Sequence, residues 1–259
     1  METVQTNIDA RGVATLTINR PERANAYNDE VIYSLVTALD DFSNHPGIRL
    51  VYLKSTGQIY SAGADLTWMG KVVNSGGHSN RSDCQQTARL FSTIYNFPLP
   101  ILTTVQGPVY GGGVAMVACC DIVLAAIEAE FFLNDVKYGL APAVASPYLI
   151  KALGEKRAKY YCLTTRPFTA PKALSYGLVH EVLPPDHLES AAEQIITDLC
   201  TFSPTALRQT KAMLQYSACE PFDDDLIDVT VECFAELRNG PDFQESLNTF
   251  VERKHLNHG

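Results

Sequence analysis

Three consecutive glycines, Gly111, Gly112 and Gly113, stand between the apolar, β-branched run Ile101-Leu102-Thr103-Thr104-Val105 and the small apolar run from Val114 to Cys120. A strand followed by a glycine-opened helix leaves the first N–H groups of that helix without intrahelical partners. Glycine also removes the Cβ that would hold a ligand away, and the positive end of the helix dipole adds to the donors. Such a terminus suits an anion or an oxyanion that develops during a reaction. A close-packed turn asks for the same glycines, so the segment by itself leaves both uses open.

A second segment, Ser61-Ala62-Gly63-Ala64-Asp65-Leu66, follows the strand-like Arg49 to Lys54 and a short loop, Ser55 to Tyr60. Together the two segments resemble the enoyl-CoA hydratase/isomerase, or crotonase, superfamily. In that family a small-Ala-Gly-Ala-Asp loop and a Gly-Gly-Gly helix start each give one N–H to the thioester oxygen of an acyl-CoA. The resemblance implies Ala64 and Gly112 as those donors. Chemistry that passes through a thioester enolate must stabilise negative charge on that oxygen, which two fixed backbone dipoles can do.

The resemblance extends over nearly the whole chain. Asn19-Arg20-Pro21-Glu22-Arg23-Ala24-Asn25-Ala26-Tyr27-Asn28 is similar to the family's Arg-Pro-x-x-x-Asn-Ala loop, which lies along the adenosine diphosphate part of CoA. It implies Arg23 and Ala24 as CoA contacts, Ala62 beside the adenine and Asp65 in the same binding loop; a solvated loop arginine is the alternative for Arg23. Arg166 to Val179 matches the family's Ala-x-x-x-Gly-Leu-Val passage, which bears on the fold more than on catalysis. The closing Arg253 and Lys254 either reach a CoA phosphate, of their own or a neighbouring subunit, or end a solvated helix.

The carboxylates decide which reaction is open. Hydratases of the family flank the substrate double bond with two glutamates, one for the water and one for the α-carbon. Here the first position is Ala115, and the second aligns with Asn134-Asp135-Val136-Lys137-Tyr138-Gly139, leaving Asp135 as the acidic candidate. Asn-Asp before an apolar stretch is also a good helix-capping sequence. Tyr110 and Tyr138 are either hydroxyl donors or ordinary packing. Gly139 to Leu149, with Ala-Val-Ala-Ser-Pro-Tyr inside it, looks like the bacterial 3-methylglutaconyl-CoA hydratase branch. These features imply a hydro-lyase that adds water to a short, branched or carboxylated α,β-enoyl-CoA. A Δ3-Δ2 enoyl-CoA isomerase, a decarboxylase, or a non-catalytic CoA-binding scaffold needs fewer carboxylates.

Several elements must position these groups. Val13, Thr15 and Thr17 alternate with Ala14, Leu16 and Ile18 after the turn-like Asp9 to Gly12, so residues 1 to 20 read as a hairpin. Asn28 caps a helix with Val31, Leu35, Leu39 and Phe42 on one face. A strand is expected over 49–54, a helix over 112–119 and a strand over 121–126. Gly70 to Ser82 is polar and glycine-rich and reads as a mobile loop walling the acyl pocket, with Trp68 and Met69 just before it as pocket lining or core. Helices are expected over 188–199, 204–216, 226–237 and 243–254. The fold class implied by the resemblance is α/β, a crotonase (ClpP-like) spiral of ββα units over 1–183. A helical C-terminal region over 184–259 would cover the site and build trimers.

The chain has 259 residues, of which 46% are hydrophobic and 19% charged, enough to bury a sizeable core. No apolar run is long enough to span a membrane and the N-terminus lacks a signal-peptide layout, so a cytoplasmic protein is expected. Seven cysteines without Cys-x-x-Cys spacing give neither a disulfide framework nor a zinc site, and the histidines lack metal-ligand spacing. A net charge of −9 disfavours nucleic acid as a partner. The expected partner is an acyl-CoA thioester, with CoA as part of the substrate, no prosthetic group and no metal. The expected assembly is a homotrimer or a hexamer formed as a dimer of trimers.

Overall fold

Val4–Ile8 (β1) and Val13–Ile18 (β2) form the antiparallel hairpin that their alternation predicts. Asp9 makes the turn, its Oδ1 accepting the Arg11 and Val13 N–H groups at 2.8 and 3.0 Å. The structure, a computed structural model, describes residues 2–256, with side chains through Phe250. Asn28 Oδ1 accepts the Val31 N–H at 3.1 Å and starts α1 (Asp29–Asn44), which buries Val31, Leu35, Leu39 and Phe42. The chain continues through β3 (Leu50–Ser55), α2 (Leu66–Asn74), α3 (Gly77–Tyr95), β4 (Ile101–Val105), β5 (Val109–Tyr110) and α4 (Gly112–Cys119). β6 (Ile122–Ala126) and β7 (Glu130–Phe132) follow, then a 3-10 turn, Asp135–Tyr138. The rest of this part is α5 (Ser146–Leu153), α6 (Glu155–Thr164), β8 (Phe168–Thr169), α7 (Ala170–Tyr176), β9 (Glu181–Leu183) and α8 (Leu188–Thr201).

The long sheet has six strands in the order β1-β2-β3-β4-β6-β9, parallel beyond the first hairpin. Parallel strands need cover on both faces, and their side chains alternate to suit. Val51, Leu53, Ile101, Val105, Val123 and Ala125 enter the core shared with α1, α3 and α4. Leu50, Tyr52, Leu102 and Leu124 face the other way, where Leu188, Ala192 and Ile196 of α8 cover them. A smaller sheet, β5-β7-β8, lies on the returns between strands of the large one.

Gly70 to Ser82 is not the loop that its composition suggests. α2 and α3 run through it and part only at Ser75-Gly76, where Gly76 has φ +103°. Residues 77–82 are exposed, so their polarity reports a solvated helix surface.

Contacts divide the chain into two compact units, ending at Cys200 and beginning at Thr201. α8 belongs with the first unit because it spends its apolar face on the sheet. The second unit holds α9 (Pro204–Ser217), α10 (Asp224–Asn239) and α11 (Pro241–Leu256), with Ser203 and Asp223 capping the first two. Its Leu214, Phe222 and Phe234 are exposed. The side chains of Arg253 and Lys254 lie outside the described residues. Among the described residues no helix is long and apolar enough to cross a membrane.

Candidate active site

The loop 61–65 is held in place by buried polar contacts. Ser61, fully buried, donates its hydroxyl to the Asn25 carbonyl at 3.0 Å and accepts the Gly63 N–H at 3.1 Å. Tyr27 brackets Ala64, donating its N–H to the Gly63 carbonyl at 2.8 Å and accepting the Asp65 N–H at 2.9 Å. In a parallel pairing of this kind the bracketed residue turns its own N–H and C=O to the opposite side. The Ala64 N–H therefore faces away from Tyr27.

The start of α4 meets this loop. Gly111 has φ +48°, a region L side chains rarely adopt, and its N–H donates to the Phe132 carbonyl at 2.8 Å. Gly112 is then the first helical residue, where the N–H has no partner within the helix. A Cβ on Gly63 would sit 3.3 Å from the Gly112 nitrogen, so the two N–H-bearing turns touch. Both Ala64 and Gly112 line a cavity of about 240 Å³. Glycine here allows the close packing and leaves the Gly112 N–H without a partner within the helix.

Asp135 reaches the same cavity from the 3-10 turn. It is not a helix cap: the capping position belongs to Asn134, which makes no side-chain cap bond. Asp135 Oδ2 is shielded from solvent and meets no hydrogen-bond partner among the described residues. Burial pushes its carboxyl above the usual carboxylate range, against the smaller opposing pull of its own backbone N–H. A partly buried carboxyl with one shielded oxygen that no structural bond explains suits proton transfer.

Ala115 is fully buried in α4 and brings no acid to the site. Asp83 of α3, which sequence reasoning missed, also lines the cavity; its Oδ1 accepts the Trp68 indole N–H at 2.9 Å and pins α2 to α3. Trp68 and Met69 are cavity lining, as are Ala141 to Val144. Tyr110 stacks on Phe132 at 4.5 Å, so its ring is packing, whereas the exposed Tyr138 lines the cavity. Tyr27 was also missed. The only signal available was a hydroxyl-bearing aromatic directly after Asn25-Ala26.

Of the remaining expected ligand contacts, Arg23 and Ala24 lie in a 3-10 turn and its left-handed exit, with Arg23 exposed. The Ala24 carbonyl accepts the Ala62 N–H at 2.8 Å and ties this turn to the Ala64 loop. Asp65 takes a different part. Its Oδ1 accepts the Thr67 and Trp68 N–H groups and its Oδ2 the Arg20 guanidinium at 2.9 Å. Burial opposes its ionisation, but the Trp68 N–H and Arg20 outweigh it and hold the carboxyl below the usual range. Through these bonds Asp65 caps α2 and fixes the loop that carries Ala64. Among the described residues no cluster of His, Cys, Asp or Glu is placed to hold a metal ion.

Asn25 carries the junction between these loops. It is fully buried at φ +53°, donates to the Thr56 and Ile59 carbonyls at 2.6 and 2.7 Å, and accepts the Arg20 N–H at 2.9 Å. Asn25→Ala strands these groups in a strained backbone and is expected to cost about 3 kcal/mol, read as a lowered urea midpoint. A midpoint unchanged within error would deny Asn25 this role.

Residues 9–259 match the family described as enoyl-CoA hydratase/isomerase. A Thermus thermophilus protein named as an enoyl-CoA hydratase is 34% identical over 242 residues, 93% of this chain and 95% of that one. A mevalonyl-coenzyme A hydratase of Aspergillus fumigatus is 32% identical over 93% of this chain and 89% of its own. A trans-2-decenoyl-acyl-carrier-protein isomerase of Streptococcus mutans is 27% identical over 96% and 94%. The crystal structure of an enoyl-CoA hydratase from Shewanella pealeana superposes with a TM-score of 0.92 at 35% identity, covering 97% of this chain and 94% of that one. Fold and kinship agree: the chain has the crotonase fold and belongs to the enoyl-CoA hydratase/isomerase family of enzymes.

Proposed function

We propose that the protein hydrates a short α,β-enoyl-CoA, branched or carboxylated in the manner of 3-methylglutaconyl-CoA, through a thioester enolate. The observation that carries this reading is Asp135, a partly buried carboxyl with an unpartnered oxygen in the cavity that Ala64 and Gly112 line. The two N–H groups hold the thioester oxygen. Asp135 takes a proton from water as the water oxygen bonds to the β-carbon, and the electron pair of the double bond moves onto the thioester oxygen. Asp135 then gives that proton to the α-carbon, and the thioester carbonyl reforms. One carboxyl serves as base and then as acid, which balances the step without a second. No prosthetic group takes part.

Arg23, Ala24 and Ala62 form the surface for the adenosine diphosphate portion of CoA, supported by the bond between the Ala24 and Ala62 backbones. Ala141 to Val144 wall the acyl end and favour a short chain. The names of the Thermus, Shewanella and Aspergillus relatives support hydration. The exposed Leu214, Phe222 and Phe234 of the C-terminal unit support a homotrimer or hexamer, and we place the protein in the cytoplasm. Isomerisation is the second reading, favoured by the buried Ala115, because moving a proton between α- and γ-carbons needs a single carboxyl.

Purified protein with crotonyl-CoA and with 3-methylglutaconyl-CoA is expected to bleach the conjugated thioester absorbance. Absence of bleaching together with a rise in that absorbance from a 3-enoyl-CoA would replace hydratase by isomerase. Binding of CoA thioesters without either change would leave a scaffold.

A further inference from the structure

Tyr27 is 5% exposed, yet among the described residues no protein group bonds its hydroxyl. Its ring lines the cavity and packs edge-on against Phe91, with centroids 6.4 Å apart. A Cβ built on Gly112 would fall 1.9 Å from the Tyr27 hydroxyl oxygen, so that oxygen occupies the space a side chain at 112 would fill. The backbone of the same residue brackets Ala64 on both sides. Tyr27 is thus pinned to one N–H donor by its main chain and set against the other by its side chain.

The hydroxyl oxygen is not sealed from solvent but opens on the cavity, where a ligand atom can meet it. The atom this hydroxyl can serve follows from its place. Side chains on a helix lean toward its N-terminus, so a residue longer than alanine at 115 would extend over the turn at 112. The residue there is Ala115, fully buried and with no side chain beyond its Cβ. Burial first, then the charges of Asp135 and Asp83, raise the Tyr27 hydroxyl above its ordinary pKa, so it stays protonated at any working pH.

We propose that the Tyr27 hydroxyl is a third hydrogen-bond donor to the thioester oxygen, converging with the N–H groups of Ala64 and Gly112. This rests on the enolate chemistry proposed above but not on hydration itself. The donor keeps its proton throughout; it stabilises the charge that develops on the oxygen and releases it when the carbonyl reforms.

Acetoacetyl-CoA tests this directly, because its β-ketothioester ionises to a strongly absorbing enolate and its binding needs neither water addition nor a double bond. Wild type is expected to bind it with the enolate enriched over free solution. Tyr27→Phe removes one oxygen and keeps the ring, and is expected to lower the ionisation constant of the bound ligand about 10- to 100-fold. Hydration should fall in kcat by a comparable factor with little change in KM, while the circular dichroism of the variant matches wild type. An unchanged bound-enolate fraction with impaired hydration would make Tyr27 a water-positioning group and overturn the proposal. So would a wild type that fails to enrich the enolate, or a Tyr27→Phe variant equal to wild type in both readouts. A wild type that enriches the enolate but hydrates no enoyl-CoA would refute hydration and leave the role of Tyr27 standing.

Discussion

Asp135→Asn is expected to lose about 10²- to 10⁴-fold in turnover, while CoA-thioester affinity and fold remain. The amide keeps the shape of the carboxyl but can neither take a proton from water nor deliver one to carbon. The same change is expected to stabilise the protein at neutral pH. Burial raises the native pKa of Asp135 above that of the unfolded chain. Between the two values the native state holds a proton that the unfolded state has lost, so stability falls as pH rises from about 4 through the native pKa. Below that window both states are protonated and the residue is neutral in its effect. Asparagine removes the cost of the buried charge, so the melting temperature of Asp135→Asn should exceed wild type at pH 7 and converge with it near pH 3. Loss of activity with gain of stability marks a group kept for chemistry. A variant that is inactive and less stable at pH 7 would instead make Asp135 a structural acid, and unaltered turnover would move the proton transfer to Asp83.

The expectations that held were those in which local pattern and tertiary demand agree. Asn28 caps the helix whose spaced Val31, Leu35, Leu39 and Phe42 become core, and the glycines at 111–113 open α4 where the strand–turn–helix pattern puts it. The segment 70–82 reads as a loop by its polarity, whereas Asp65 nucleates α2 and the exposed surface of α3 needs no apolar residues there. The spacing of Asp65 from Ala64 is what sequence displays; its bond to Arg20 spans 45 positions and has no local signature. Tyr27 and Asp83 were illegible for the same reason. Each becomes part of the site only because the Tyr27 strand segment brackets the Ala64 loop and α3 folds back over α2, long-range pairings that no short window of sequence contains.

Gly112→Ala is the second large expected effect, and it separates packing from donor chemistry. The added methyl would lie 1.9 Å from the Tyr27 hydroxyl oxygen and 2.8 Å from the ring carbon that bears it. Neither side yields cheaply: Tyr27 is held through its backbone at Gly63 and Asp65 and by Phe91, and α4 is buried from Gly113 to Val117. Overpacking of this kind costs about 1–3 kcal/mol. A displacement near 1 Å at the donors is expected to lower kcat/KM by about 10²-fold. Gly70→Ala is the control, since nothing lies within 4 Å of its Cβ and it sits inside α2. It should leave turnover unchanged and gain up to about 1 kcal/mol from lower chain entropy. Combining Gly112→Ala with Tyr27→Phe removes the closest contact but leaves the ring carbon at 2.8 Å, and should recover part of the stability. It should not recover the rate, because the hydroxyl that the methyl displaced is then absent altogether. Recovery of both would mean that Gly112 is glycine only to make room for Tyr27, and that Tyr27 contributes volume rather than a hydrogen bond.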